Sequence, residues 1–182
     1  MTDKGNGTHE LAVDCIYTAL MQLMETVPYK DISVTDITKK AGVSRMAYYR
    51  NYNDKDEVLT RRLRQHLDRF VSQVDNTPHL DEPKFWASFF TTFRDDPVVQ
   101  NIVKAGLIDK LIEAHRDMMV HVYGVRFGWD LTDERNVVTV YQRMGSMTGL
   151  MFYLIERGEK TDIDLLVRQV MADTQGDKEA PQ

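Results

Sequence analysis

Two sets of residues in this 182-residue chain could do chemistry. The first is the usual catalytic and metal-binding stock: one cysteine, Cys15, and five histidines at positions 9, 66, 79, 115 and 121. These form no working constellation. His115 and His121 are six residues apart, which sets them on different faces of a helix, and no histidine stands at ligand spacing from the cysteine or from carboxylates. No Ser/His/Asp arrangement, glycine-rich phosphate loop or HExxH run is present. Cys15 lies on an apolar stripe and reads as core; alone it can neither close an internal disulfide nor hold a metal. No enzyme activity, metal or cofactor is expected.

The second set is cationic. Between Lys30 and His66, nine Lys/Arg stand against five Asp/Glu, a local net charge of +4 in a chain whose total is −5. The sum argues against indiscriminate coating of nucleic acid. The distribution allows docking of a polyanion, because screening limits the reach of distant charge to ~10 Å. A charge run alone would read as a solvated helical face. What changes that reading is the pattern inside it.

That pattern is helical, as is nearly all of the chain. Leu11, Cys15, Ile16, Ala19, Leu20, Leu23, Met24 and Val27 recur at three- and four-residue spacing and predict a helix over about 8–26. Ser33, three residues before Asp36, opens a short helix over 33–40. Ala41-Gly42-Val43 is a tight turn, and Gly42 suits a positive φ at the helix end. Ser44 caps a second short helix over about 44–51, and Asp54 to Glu57 starts a long one over about 54–75. Two short helices joined by a glycine turn, the second basic, suit a helix-turn-helix. The first would point its N-terminal amides at phosphate, and the second is slim enough for the ~12 Å major groove. Ile37, Ala41 and Val43 would pin the pair together.

Asn76 to Pro83 brings the first loop-like composition. Beyond it Phe85, Trp86, Phe89, Phe90 and Phe93 share a stripe. Asp96-Pro97 restarts a helix, and another runs from Leu107 to about Arg126 and ends near Gly128-Trp129. Thr132 is expected to cap an apolar helix to Arg157 closed by Gly158, and Asp162 to begin a last one to about Asp173. The first seven residues and Thr174–Gln182 look disordered. The expected fold is all-α, about nine helices: an N-terminal domain over 8–53, and a C-terminal domain over 54–174, with the helix over 54–75 joining them. The longest strongly apolar run, Gly149–Ile155, falls far short of the ~20 residues that cross a bilayer. The N-terminus carries no secretory pattern, so a cytoplasmic protein is expected.

The stretch Val34–Leu59, VTDITKKAGVSRMAYYRNYNDKDEVL, resembles the DNA-binding domain of TetR/AcrR-family transcriptional regulators. The marks are Asp36-Ile37, Ala41-Gly42-Val43-Ser44, an aromatic pair with Tyr49, and Lys55-Asp56-Glu57. Ile16, Ala19, Leu20 and Leu23 fit the family's first helix, so the likeness covers about residues 10–65. In the family glycine commonly stands where Met46 does, which alters the groove surface. Leucine commonly stands where Tyr48 does, which implies a bulkier packing residue under the recognition helix.

The resemblance implies roles. Arg45 would read guanine through O6 and N7, and Met46 and Ala47 would touch thymine methyls. Ser44 and Tyr49 would offer hydroxyls to phosphate, while Arg50 and Asn51 would reach backbone or base. Thr35 and its neighbouring amides would hold phosphate at the preceding helix. Lys55 sits where the helix macrodipole disfavours a cation by ~0.3–1 kcal/mol, and the family's lysine there grips phosphate.

For the C-terminal domain the resemblance implies a pocket for a small apolar effector. Trp86, Phe89, Phe93, His115, Met118, Met119, Tyr123, Met147 and Met151 are its candidate lining, although residue by residue a plain bundle core with Met as filler explains them better. It also implies a homodimer built on the last two helices, with Tyr141, Gly145, Thr148, Gly149, Phe152, Leu166 and Val170 at the interface. The function implied is a homodimeric repressor of a pseudo-palindromic double-stranded DNA operator, released by its effector. Two alternatives stand beside it. One is a co-regulator or activator whose C-terminal domain binds a partner protein. The other is a helical ligand-binding protein or enzyme with a vestigial helix-turn-helix, against which Arg45, Tyr49, Arg50 and Lys55 together speak.

Overall fold

The structure, a computed structural model, describes residues 4–157 and 161–172, with side chains from Glu10 onward. Among the described residues there is no strand. The helices are α1 (Lys4–Met24), α2 (Val34–Ala41), α3 (Arg45–Tyr49), α4 (Lys55–Asp75), α5 (Glu82–Phe93), α6 (Pro97–Lys104), α7 (Ile108–His121), α8 (Glu134–Arg157) and α9 (Ile163–Ala172). The all-α expectation holds. Two turns were not foreseen: a 3₁₀ turn at Tyr29–Asp31, and a π-helical segment at Val122–Arg126 that carries α7 onward. Helix α1 begins at Lys4, so four residues expected to be disordered are helical. The expected closure at Gly158 and the expected disordered tail lie outside the described residues.

Local chemistry explains most boundaries. Ser33 and Asp36 form a reciprocal capping box: Asp36 N donates to Ser33 Oγ at 3.2 Å, and Ser33 N to Asp36 Oδ2 at 3.0 Å. Gly42 then takes φ +67° and ends α2. Ser44 Oγ accepts from Ala47 N at 3.0 Å to start α3. Asp54 caps α4 through Glu57 N at 2.8 Å, while Glu57 reaches one residue further out, to Asn53 N at 2.7 Å. Thr132 does not cap α8. Its own N and Oγ1 are taken by Asp130 Oδ1 at 2.9 and 2.7 Å, and Asp133 accepts from Arg135 N instead.

Helix α4 is the spine. Val58, Leu59, Leu63, Leu67, Phe70 and Val74 are buried along a single stripe. It packs with α1 on one side and with α6, α7 and the π-helical segment on the other. Polar ties reinforce both ends. Arg62 pairs with Asp14 at 2.8 Å and lies over the Tyr17 ring, and His66 Nδ1 meets Asp96 Oδ2 at 2.8 Å. Farther along, Arg126 in the π segment donates to the carbonyls of Val74 and Thr77. The C-terminal core is aromatic: Phe70 packs edge-on to Phe89 and Phe93 at 5.8 and 5.2 Å, and Trp86 stacks on Phe90 at 5.7 Å.

Candidate nucleic-acid interface

Five residues make up α3, and only Tyr48 among them is buried. The Tyr48 ring lies wholly inside, 5.8 Å from Tyr52, and its hydroxyl donates to the Asp54 carbonyl at 2.9 Å. Burial, with Asp54 nearby, pushes that phenol above its ordinary range. One large side chain thus fixes α3 to the start of α4. It leaves the opposite face in solvent: Arg45, Arg50 and Ser44 are exposed, Met46 is 68% exposed and Tyr49 52%. Met46, whose sulfur accepts from Arg50 Nη2 at 3.5 Å, and Tyr49, edge-on to Tyr48 at 5.4 Å, stand with two guanidinium groups on a surface suited to base edges and phosphates. Ala47 is half-buried beside them, and Thr35 is exposed on the first turn of α2.

Two of the sequence-derived candidates stand differently. The Asn51 side chain is half-buried and donates to the Ala47 carbonyl at 2.7 Å, closing α3 rather than reaching outward. Lys55 has its ammonium within 2.6, 3.2 and 2.9 Å of the carbonyls of Tyr29, Lys30 and Ile32, and 4.5 Å from the Tyr29 ring centre. An ammonium has three protons, and all three have acceptors. The physical reason is the unforeseen 3₁₀ turn, which turns its carbonyls toward the start of α4. Tyr29 completes the junction by donating to Asp56 Oδ1 at 2.6 Å. In this conformation the Lys55 ammonium braces the start of α4 against the carbonyls of Tyr29, Lys30 and Ile32.

The nine residues expected to line an effector pocket do come together, as core. Trp86, Phe89, His115, Met119, Tyr123 and Met147 have no exposed surface, Phe93 and Met151 have 1%, and Met118 has 4%. Of the nine, only Met118 lines the groove of about 510 Å³ between α4 and α7, whose walls include Leu67, Val71, Ala114 and three aspartates.

Sequence reasoning missed Arg143. It is 6% exposed, donates to Glu82 and to the Tyr123 hydroxyl (2.6 Å to the latter), and lies 5.1 Å from the rings of Tyr123 and Trp129. Burial pushes the Tyr123 phenol up to about 12, against the opposing pull of Arg143. A signal was present. Arg143 stands on the inward stripe Val140, Met147, Met151, Leu154, where a cation needs a buried partner.

On α8, Tyr141 (49% exposed), Gly145 and Gly149 face solvent, with Thr148 and Phe152 half-buried on the same side. Leu166 and Val170 do not join them. They are 4% and 3% exposed and pack into the protein's own core, because α9 turns that stripe toward α5 and α8. Leu165, Arg168 and Gln169 are its outward residues.

Fold and surface together define an all-helical protein with an N-terminal helix-turn-helix. Comparison with known proteins agrees. The chain is 36% identical over 83 residues, 39% of its length, to the HTH-type transcriptional regulator EthR of Mycobacterium tuberculosis, which bears out the resemblance to TetR-type regulators. The chain matches 37% of that relative's length. No protein-family model matches. Among solved structures it is similar to the fatty acid degradation regulator FadR from Bacillus halodurans, with TM-score 0.56, 18% identity, and 93% and 97% of the two chains covered. It is also similar to the dihydroxyacetone kinase operon activator DhaS, with TM-score 0.60, 15% identity, and 91% and 95% covered. These likenesses are to regulators rather than enzymes. Among the described residues, no helix is long and apolar enough to cross a membrane.

Proposed function

We propose that this chain is a TetR-like homodimeric repressor whose two α3 helices read a pseudo-palindromic operator, released when a small effector enters the C-terminal domain. The observation that carries the reading is the exposed face of α3, where Arg45, Met46, Tyr49 and Arg50 lie in solvent, Arg50 donating to the Met46 sulfur at 3.5 Å, while Tyr48 anchors the helix from behind. Arg45 reads a guanine; Ser44, Tyr49 and Thr35 position the protein on phosphates; Met46 and Ala47 meet thymine methyls. Dimerisation places the two helices in successive major grooves. It uses the outward face of α8, where Val138, Tyr141, Gly145, Gly149 and Phe152 form a stripe that a second α8 can approach closely.

Fluorescence anisotropy against duplex from upstream of the chain's own gene, with a scrambled duplex as control at two salt concentrations, tests the reading. Selective binding with two subunits per duplex is expected. Equal, weak binding to both duplexes removes the autoregulated operator, and one subunit per duplex removes the dimer. Activation is the second reading, supported by the likeness to DhaS, an activator. A promoter fused to a reporter separates the two by the sign of the change when the regulator is deleted.

A further inference from the structure

His115 on α7 has no exposed surface, and neither Nδ1 nor Nε2 has a hydrogen-bond partner among the described residues. A neutral imidazole carries one N–H donor and one acceptor nitrogen. Whichever tautomer is present, both groups are therefore left unsatisfied. Phe89 stands edge-on to the ring at 5.7 Å. Buried polar side chains are ordinarily satisfied, so an orphaned pair calls for an explanation. One turn further along the same face of α7, Met118 lines the groove between α4 and α7. Its thioether has three rotatable bonds and moves aside at low cost. The groove, about 510 Å³, is the size of a drug-like ligand site.

We infer that this groove is the mouth of the effector site, that the ligand displaces the Met118 side chain to reach His115, and that it is an uncharged apolar molecule bearing one hydroxyl or carbonyl group. The inference deepens the effector-release reading above and rests on it. A hydroxyl can satisfy both imidazole nitrogens in turn, and a carbonyl can take the N–H. An acid is disfavoured twice. At the mouth it meets Asp68, Asp75 and Asp117, with Arg64 beside them, Asp117 paired with Arg116 at 3.0 Å and Asp75 with His121 at 3.0 Å. Inside, burial keeps His115 neutral, with its pKa lowered to about 4, so no cation waits for a carboxylate.

The test uses the full chain without DNA, in thermal unfolding and titration calorimetry at pH 7, with 1-decanol and decanoate as probes. Decanol is expected to raise Tm and to bind about tenfold or more tighter than decanoate. His115→Leu should raise the Tm of the free protein, because the orphaned groups are gone, yet lose about tenfold in decanol affinity. In the unaltered protein, the ring ¹⁵N shifts of His115 should move on adding decanol. Decanoate binding as tightly as decanol, unchanged decanol affinity in His115→Leu, static ring shifts, or no decanol binding would each overturn the inference. None of these readouts involves DNA, so operator binding stands or falls separately by the anisotropy assay.

Discussion

Arg45 and Lys55 are both cations in the helix-turn-helix, and their surroundings separate them. Arg45 is exposed beside Met46 and has the planar fork that matches guanine O6 and N7. Arg45→Ala should cost ~1–3 kcal/mol in operator binding and relax base preference at one position per half-site, read by competition with singly substituted duplexes. Equal loss on every sequence would leave Arg45 as a phosphate contact. Lys55 spends its protons on three carbonyls. Lys55→Met should therefore lower Tm while leaving the salt dependence of DNA binding unchanged. A slope shallower by roughly one ion would return Lys55 to the phosphate backbone. The same spacing of charge supports opposite roles, and hydrogen-bond partners decide between them.

At the scale of elements, α8 carries two stripes with different destinies. The inner one, Val140, Arg143, Met147, Met151 and Leu154, is buried in the protein's own core. The outer one holds Tyr141, Gly145 and Gly149 in solvent, and a Cβ added at either glycine would meet nothing within 4 Å. Gly145→Arg should consequently leave the single chain folded and abolish the dimer, because a large cation fills the close approach between two α8 helices. Sedimentation at micromolar concentration, with circular dichroism for the fold, checks both halves. A dimer that survives the substitution would move the interface elsewhere. The position of Leu166 and Val170 shows why helical spacing alone misassigns such faces: periodicity finds a stripe but not which neighbour it meets.

For the whole molecule, one buried side chain makes stability fall on acidification. The unfolded chain protonates His115 near 6.5, whereas the folded protein holds it neutral down to about 4. Between those values the unfolded state binds more protons, so stability is full above about pH 6.5 and falls as the solution is acidified through that window. The loss at its foot is about 3 kcal/mol from this group. The capping carboxyls add to the trend lower down. Asp36 and Glu57 are held below their ordinary values, the first by the Ser33 hydroxyl and the second by the Asn53 backbone amide, and that stabilisation disappears on protonation. Urea unfolding at pH 7 and pH 5 should show the decline in the unaltered protein and a shallower one in His115→Leu. An identical decline in both would shift the cause to other groups.

Local rules were enough for the helix-turn-helix. Ser33, Gly42, Ser44 and Asp54 mark their boundaries because caps and left-handed turns are chemistry between neighbours in the chain. The aromatic stripe of α5 and the all-α class were legible for the same reason, since 3.6-residue periodicity is a local property. Relations between distant segments were not. Nothing near Lys55 foretold the 3₁₀ turn some 25 residues earlier whose carbonyls take its protons, and nothing near His115 foretold that both its nitrogens would lack partners. The sequence by itself determined the all-α class and the caps and glycine turn of the helix-turn-helix. Tertiary structure alone decided what each buried or charged group meets, because burial and hydrogen bonding are set by packing between elements far apart in the chain.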